Sequence, residues 1–404
     1  MAKYIVKTFL LLQFILILSW AIGNEYILLN TDFSLGKNLN DVSNSIFWSR
    51  ANFDGFYYTK IARDGYQYLE QSFFPFYPFL ISSLSNIFQS YILSGLFISN
   101  LAFFGMIYAL FLLLRQEGFD FKQIKNIILV LILFPTSFYF LSVYSESLLL
   151  FFVFLSLYFM KKRNYLLAGL LAGLASYTKL SGIFLFPALL IEYYEQASKR
   201  SIRDRLYSFK SNILNDKGGY LIHLIKSRSF HIKNLLLISL SGWGLVKYMW
   251  YLKRSMGDWF YFYNIKPGFL IPKDTEKITL IYQVFFRYLK MIITVRPNHW
   301  VYVNIWLEVI IAFVFLLLLL EGLRRYKYYN IRLSWLFFTA CAYFLPTLSG
   351  TFSSLPRYVL LCFPCFIVIS KLLKTDKIKY IYFAISSIFL IILSAFFFKG
   401  YWIS

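Results

Sequence analysis

Long apolar stretches recur along nearly the whole chain, and they restrict its fold more than any other feature. Hydrophobic residues make up 59% of the 404 residues and charged residues 15%, whereas soluble domains contain about half apolar and about a quarter charged residues. Because one soluble core cannot bury so much apolar surface, an all-α polytopic membrane protein with about 11 transmembrane helices is predicted. The apolar segments cover approximately 3–20, 91–114, 127–144, 146–160, 164–177, 180–194, 234–252, 301–320, 333–348, 358–372 and 379–398.

The basic residues predict which side of the membrane each connection faces. Of the 41 Lys and Arg residues, 25 lie near the N-terminus and in five runs that a regular path brings to one side. The positive-inside rule makes that side, and the N-terminus, cytoplasmic. The net charge of +22 then reflects membrane topology, and no nucleic-acid partner is expected. This path requires that 73–88, with Pro75 and Pro78, forms an interfacial or re-entrant helix that does not cross.

The same path predicts one integral membrane domain over residues 1–404. Its first outer loop is 23–72 and its second outer loop is 253–300. The segment 195–233 becomes a basic cytoplasmic loop, which is expected to lie on anionic headgroups.

The first outer loop contains a candidate for a catalytic carboxylate. Phe53, Phe56, Tyr57 and Lys60 recur at helical spacing, which predicts an amphipathic interfacial helix with Asp54 at its start. The helix dipole there favours an ionised carboxylate, which would accept a proton from an acceptor hydroxyl. The alternative is that Asp54 only caps a helix in a solvated loop.

Three more charged residues stand next to apolar segments. Glu146 follows Tyr144 between two predicted spans, where it either has a partner or belongs to an exposed hairpin turn. Lys179 lies where an apolar segment breaks, and Arg357 follows Pro356 at the start of another. Both cations are candidates for holding a lipid phosphate, and for both the alternative is snorkelling to ordinary headgroups.

The second outer loop combines aromatic and polar groups around Asp258 and His299. Sugar-binding surfaces have this composition, but so do the aromatic belts of membrane proteins. The three histidines are dispersed, so no ligand spacing supports a metal and no cofactor is expected, although the outer acidic residues leave a divalent ion open. The candidates for a substrate cavity are Arg50, Tyr57, Tyr58, Tyr144, Glu146, Asp258, His299 and Tyr358.

Several short motifs occur in the order found in a known family. The chain resembles the PIG-V-like mannosyltransferases, in their prokaryotic branch, through motifs that extend over most of its length. Two positions depart from the family pattern: Lys179 stands where arginine is frequent, and Gly55 where eukaryotic members commonly have alanine. The motifs are Asp54-Gly55-Phe56-Tyr57-Tyr58, Ile61-Ala62, Gly65-Tyr66, Phe73-Phe74-Pro75-Phe76-Tyr77-Pro78, Pro135 with Tyr144-Ser145-Glu146-Ser147, Ala168-Gly169-Leu170 with Thr178-Lys179 and Gly182, and Arg357-Tyr358 with Phe363-Pro364.

This resemblance implies a GT-C-like helical bundle and an inverting hexosyltransferase. Such enzymes take a sugar, here expected to be mannose, from a polyprenyl-phosphate donor and pass it to a lipid-linked or cell-surface acceptor at the outer face of the membrane. An acidic residue of the first outer loop is their base, which assigns that role to Asp54. Arg357 and Lys179 are then predicted to bind the donor phosphate. The sequence leaves two alternatives, a lipid-linked sugar flippase or transporter and a glycan ligase.

Overall fold

A computed structural model describes residues 1–30, 45–198, 231–264, 279–297 and 300–403. This part of the chain is 80% helix and contains no strand, so the predicted all-α class is confirmed. The helices are α1 (Ala2–Tyr26), α2 (Ile46–Ser49), α3 (Asp54–Asp64), α4 (Phe76–Phe88), α5 (Tyr91–Gln116), α6 (Phe121–Ile132), α7 (Glu146–Lys161), α8 (Tyr165–Thr178), α9 (Leu185–Ser198), α10 (Ile232–Ser239), α11 (Trp243–Met256), α12 (Tyr261–Asn264), α13 (Ile281–Thr294), α14 (Trp300–Arg324), α15 (Tyr326–Tyr329), α16 (Leu333–Thr347), α17 (Leu355–Tyr358), α18 (Phe363–Leu372) and α19 (Asp376–Phe398).

Five helical segments of the described chain are long and apolar enough to cross a membrane. They are α1, α5, the nearly continuous pair α10–α11, α14 and α19. A sixth candidate is the pair formed by 355–361 and 363–372, which bends by 83° at its break. Three shorter apolar helices, α4, α8 and α16, accompany them. The chain is therefore a multi-pass membrane protein, while the predicted total of about 11 spans goes beyond what these helices establish.

The predicted apolar span at 127–144 is not one helix. Helix α6 ends at Ile132, a turn follows, and a short 3₁₀ helix occupies Ser137–Leu141 before α7 begins at Glu146. Pro135 lies in the turn, where its missing N–H and fixed ring disfavour a continuing helix. The irregular segment is buried, and its backbone polar groups bond to neighbouring side chains and turns. This break carries Tyr144 and Glu146 into the interior.

The segment after α1 contains the predicted helix. Helix α3 begins at Asp54 and ends at Asp64, followed by Gly65 with a φ of 74°, a positive value that glycine adopts readily at a helix end. Helix α4 starts directly after Pro75 and has only 13 residues, which is too short to cross a bilayer as a straight helix. Tyr77 of α4 bonds to Ser99 of α5, which in turn donates to the carbonyl of Tyr144. These bonds tie the outer segment to the irregular turn before α7.

Small residues let two of the helices approach closely. A Cβ atom added at Gly244 of α11 would lie 2.2 Å from the carbonyl oxygen of Gly173 of α8. Packing of small residues against backbone is a common means of association between membrane helices. The contact fixes α8, whose C-cap residue is Lys179.

Candidate active site

Asp54 occupies the first turn of α3, but it does not cap that helix. The N-cap residue is Phe53, whose φ of 57° is unusual for a residue with a side chain. Phe53 is buried, with its ring edge-on to Trp402 at 5.0 Å between centroids. The capping alternative therefore does not hold: this strained residue directs Asp54 inward, where 16% of its side chain remains exposed.

Arg357 is the partner of Asp54, although the two residues are 303 positions apart. Its Nη1 donates to Asp54 Oδ2. Its Nε lies 3.4 Å from Glu146 Oε1, in an ion pair without good hydrogen-bond geometry. Ser354, just before α17, has a φ of 68°, so the segment that presents the arginine also begins at an unusual backbone conformation. With 7% of its side chain exposed, Arg357 is buried and does not snorkel.

Glu146 and Lys179 complete the group. Lys179 Nζ donates to Glu146 Oε1 at 2.7 Å and lies 4.4 Å from the ring centroid of Tyr358. The Glu146 side chain is 1% exposed and that of Lys179 12%. The alternatives of an exposed turn glutamate and a snorkelling lysine are therefore both excluded. We call Asp54, Glu146, Lys179 and Arg357 the Asp54 cluster.

The Asp54 cluster contains two carboxylates and two cations, so its formal charges cancel. One oxygen is unsatisfied: Glu146 Oε2 is buried without a hydrogen-bond partner among the described residues. A buried polar atom of this kind is costly, and it is often found where a ligand or water completes the bonding. Since both cations point at Glu146 and one also binds Asp54, an incoming anion could share them by displacing a carboxylate. This is the arrangement expected for binding a phosphate next to a proton acceptor.

Aromatic side chains surround the cluster. The guanidinium carbon of Arg357 is 5.4 Å from the ring centroid of Tyr144 and 5.6 Å from that of Tyr139. Both rings are buried, and Tyr144 also donates to the carbonyl oxygen of Asn52 at 2.9 Å, which fixes the segment before Asp54. Tyr58 is hydrogen-bonded to Ser145 at 3.1 Å. These contacts stabilise the cation and limit its movement.

Two supporting contacts were not predicted from the sequence. Thr136 Oγ1 donates to the carbonyl oxygen of Pro356 at 2.7 Å and so holds the residue before Arg357. Tyr288 of α13 donates to Glu308 within α14, and it accepts from the backbone N–H of Phe352 at 3.0 Å. The position of Thr136 after Pro135, and that of Glu308 in an apolar stretch, are the only sequence signals that distinguish these residues.

Other predicted residues make their side-chain contacts outside the Asp54 cluster. Asp258 is exposed and accepts from Phe260 N and Asn264 Nδ2 in its own turn, bonds that lower the pKa of its carboxyl. Arg50 is buried but donates to Gln13 of α1. Tyr57 is half-buried and stacks on Phe73 at 5.1 Å; burial raises its pKa, and the charges of Glu70 and Asp54 add to the effect. His299 falls outside the described residues, as does most of the predicted basic loop.

Comparison with known protein families identifies the chain. The sequence profile of the mannosyltransferase (PIG-V) family matches residues 1–216, which is more than half of the protein. The chain belongs to this family. No curated protein and no solved structure matches it.

Membership in the PIG-V family confirms the predicted resemblance and indicates a membrane mannosyltransferase. The matched region includes three residues of the Asp54 cluster: Asp54, Glu146 and Lys179. Arg357 lies beyond it, so its place in the cluster follows from the tertiary contacts of this PIG-V family protein.

Proposed function

We propose that the protein transfers mannose from a polyprenyl-phosphate donor to a hydroxyl of a lipid-linked or cell-surface acceptor, with inversion at the anomeric carbon, at the Asp54 cluster. The observation that carries the proposal is the direct pairing of Asp54 with Arg357, backed by Glu146 and Lys179. Two cations and a carboxylate that is partly exposed are the groups that departure of a phosphate and removal of a proton require.

The donor phosphate would bind first to Arg357 and Lys179. In doing so it would compete with Asp54 for the guanidinium, because the single positive charge of Arg357 would then be shared between the phosphate and the carboxylate. Asp54 would then be released as an ionised carboxylate near the anomeric carbon. Binding of the donor would thus activate the base. Until a donor is present, Asp54 would stay paired with Arg357.

The transfer would occur as a single displacement at the anomeric carbon. The acceptor oxygen forms a bond to the anomeric carbon while its O–H bond breaks and the proton passes to Asp54. The bond between the anomeric carbon and the phosphate oxygen breaks on the opposite face, and the phosphate leaves with the electron pair. Arg357 and Lys179 would stabilise the charge that develops on this leaving group.

Glu146 would act as a fixed counter-charge. Its side chain is 1% exposed and contacts both cations, so it would hold them at the donor site after Asp54 has separated from Arg357. A buried pair of cations without such a carboxylate would repel each other and favour opening of the site.

For the topology we propose a GT-C-like bundle with about 11 crossings, a cytoplasmic N-terminus and the Asp54 cluster facing the outer side of a prokaryotic cell membrane. The distribution of basic residues supports this orientation. Single cysteines placed at Gly257 and Arg163, in a variant whose three native cysteines are replaced by serine, test it with a membrane-impermeant thiol reagent. Labelling of the Gly257 site in intact cells, with the Arg163 site labelled only after lysis, is expected; the reverse pattern would contradict the orientation.

The decisive test of the reaction compares two aspartates of the same helix. Purified protein in lipid is incubated with labelled polyprenyl-phosphate mannose and candidate acceptors, and product is counted. Asp54→Asn is expected to lower the transfer rate by about a hundred- to ten-thousand-fold. Asp64→Asn is the matched control, since Asp64 is at the other end of α3 and pairs with Arg63 at the surface. Equal rates for Asp54→Asn and the wild type would refute the assignment.

Further arms of the assay separate the alternatives. A flippase would move labelled donor across sealed vesicles without adding the sugar to any acceptor, whereas a ligase would transfer a whole glycan and leave a single mannose unused. Substituting glucose or galactose donors tests the expected sugar. Adding EDTA tests the expectation that no metal ion is needed.

A further inference from the structure

Arg50 is a buried cation whose charge is not neutralised within the described chain. The residue is 6% exposed, and its Nη1 donates to Gln13 Oε1 at 2.8 Å. Gln13 donates onward to Asn100 Oδ1 at 2.9 Å, and Asn100 donates to the carbonyl oxygen of Leu96. The Arg50 Nε is buried and has no acceptor among the described residues. Among the described residues, the guanidinium is therefore bonded to a neutral amide and to no carboxylate.

A buried guanidinium without a carboxylate is energetically unfavourable. Burial lowers the pKa of Arg50 to about 10, and within the described ranges no carboxylate opposes the effect. Arginine remains charged at neutral pH even so, and an uncompensated buried charge normally costs several kcal/mol. Within membrane segments such charges are rare and usually have a ligand or a partner. Arg50 thus has the chemistry of a binding site that awaits an anion.

The polar group lies next to exposed apolar side chains of two candidate spans. Gln13 and Asn100 are both partly exposed, and Gln13 lies near the middle of α1, roughly 16–20 Å from either end of that helix. The apolar side chains beside them face outward from the candidate spans α1 and α5, with exposures of 57% for Leu10, 64% for Phe14 and 61% for Leu101. A ligand that reaches Arg50 by this route must be compatible with the hydrocarbon region.

We propose that Arg50, with Gln13 and Asn100, binds the phosphate of an anionic lipid that enters between α1 and α5. A lipid combines the two properties that the site selects, a phosphate for the guanidinium and an apolar tail for the outward-facing side chains. The amides of Gln13 and Asn100 each carry donors that can turn toward the phosphate once it arrives.

The Arg50 site lies close to Asp54 in the chain, so it would have a function whether the bound lipid is a membrane phospholipid or a lipid-linked acceptor. Arg50 and Asp54 are separated by four residues, so their Cα atoms are at most about 14 Å apart. A phospholipid of the bulk membrane at Arg50 would brace the segment that presents Asp54. A lipid-linked acceptor would instead be held by its phosphate within reach of the base. Both sources share the same phosphate chemistry, and the experiment distinguishes them.

The experiment measures lipid binding to purified protein by native mass spectrometry. The wild type is titrated in neutral detergent with phosphatidylglycerol, with polyprenyl phosphate, with diacylglycerol as the lipid that lacks phosphate, and with inorganic phosphate as the competitor that lacks a tail. Arg50→Gln removes the charge. Gln13→Glu places a carboxylate of the chain itself against Arg50 Nη1, where the lipid phosphate would bind, and it preserves the shape of the side chain. Arg63→Gln, at the exposed end of α3, is the matched control.

The wild type and Arg63→Gln are expected to retain one phosphate-bearing lipid at least tenfold more tightly than diacylglycerol. Arg50→Gln and Gln13→Glu should each bind one such lipid fewer than the wild type, while a polyprenyl phosphate held by Arg357 and Lys179 at the proposed donor site is kept in every variant. Stronger retention of polyprenyl phosphate than of phosphatidylglycerol assigns the site to the substrate, and equal retention assigns it to membrane phospholipid. Unchanged lipid binding by Gln13→Glu overturns the proposal even if Arg50→Gln fails to fold. If inorganic phosphate competes as strongly as lipid does, the lipid tail does not contribute to binding and that part of the proposal is overturned. Binding here is measured without transfer, so this outcome is independent of the reaction proposed for Asp54.

Discussion

Two buried ion clusters lie at opposite ends of helix α7, and their hydrogen bonding differs. At the first residue of α7, Glu146 belongs to the Asp54 cluster. At its last residue, roughly 22 Å away along the helix, Lys161 bonds to Glu117 at 2.8 Å. Arg332 also contacts Glu117 at 2.8 Å, and it contacts Glu192 at 3.1 Å. We call Glu117, Lys161, Glu192 and Arg332 the Glu117 cluster.

The carboxylates show the difference between the two clusters. Both oxygens of Glu192 are used, one by Arg332 and Gln196 and the other by Ser334 at 2.8 Å. In Glu146, by contrast, Oε2 has no partner among the described residues. A buried carboxylate with both oxygens bonded, like Glu192, suits a role in holding helices together, whereas one with an unfilled oxygen beside a partly exposed aspartate can respond to a ligand. We therefore interpret the Glu117 cluster as a structural clamp and the Asp54 cluster as the reaction site.

The largest expected difference is in the rate of transfer. Glu146→Gln should lower it about a hundredfold, or about 2.7 kcal/mol, because a neutral amide cannot hold Lys179 and Arg357 together. Glu192→Gln, the matched change at the other end, should leave the rate within about threefold. Initial rates at saturating donor, normalised to folded protein, measure both. A similar loss in the two variants would remove the distinction between the clusters.

The second difference concerns binding of the donor. Arg357→Lys should raise the donor KM roughly tenfold. The planar guanidinium of arginine contacts Asp54 and Glu146 and lies near two tyrosine rings, and the ammonium of lysine cannot make all of these contacts. Arg332→Lys should leave the donor KM unchanged. Titration of the donor at fixed acceptor concentration gives both values. If Arg357→Lys changes kcat alone, the arginine does not bind the donor in the ground state.

The third difference is in stability, where the Glu117 cluster is expected to matter more than the Asp54 cluster. Glu192→Gln should lower the free energy of unfolding by roughly 1–3 kcal/mol, because it weakens hydrogen bonds from Ser334 and Gln196 at a site that is 3% exposed. Asp54→Asn should cost less, since 16% of the Asp54 side chain reaches solvent. Thermal unfolding in detergent, followed by loss of the monodisperse peak, compares them. A larger drop for Asp54→Asn would argue that the Asp54 pair is itself a clamp.

The smallest effect is expected for the bond that positions the arginine segment. Thr136→Val removes the hydroxyl that donates to Pro356 and should slow transfer by about three- to tenfold, equivalent to about 1 kcal/mol. Thr136→Ser restores a hydroxyl and should recover most of the rate. Ser334→Ala, which removes the hydroxyl that donates to Glu192 of the Glu117 cluster, should affect stability but not rate. Failure of Thr136→Ser to rescue transfer would show that side-chain shape, and not the hydrogen bond, matters at this position.

The helices were largely predictable because apolar periodicity acts over short distances. The start of a helix at Asp54 and the start of α17 near Pro356 both followed from local signals. Segment 127–144 was wrongly predicted as one span because composition reports an apolar run but not where a proline turn divides it. Arg50 and Asp258 were grouped with the substrate cavity by their position in outer loops, yet each makes its bonds elsewhere.

The sequence by itself determined that this protein is helical, enters a membrane several times, and carries a small set of charged residues beside apolar segments. Hydrophobic burial and backbone hydrogen bonding decide these properties within each segment. Only the tertiary structure decided that Asp54 meets Arg357 across 303 residues, that Lys179 bonds to Glu146, and that Arg50 donates to the neutral amide of Gln13. The physical reason is that a buried charge must be matched by whatever the packed helices bring near it, and that partner is set by the arrangement of distant segments.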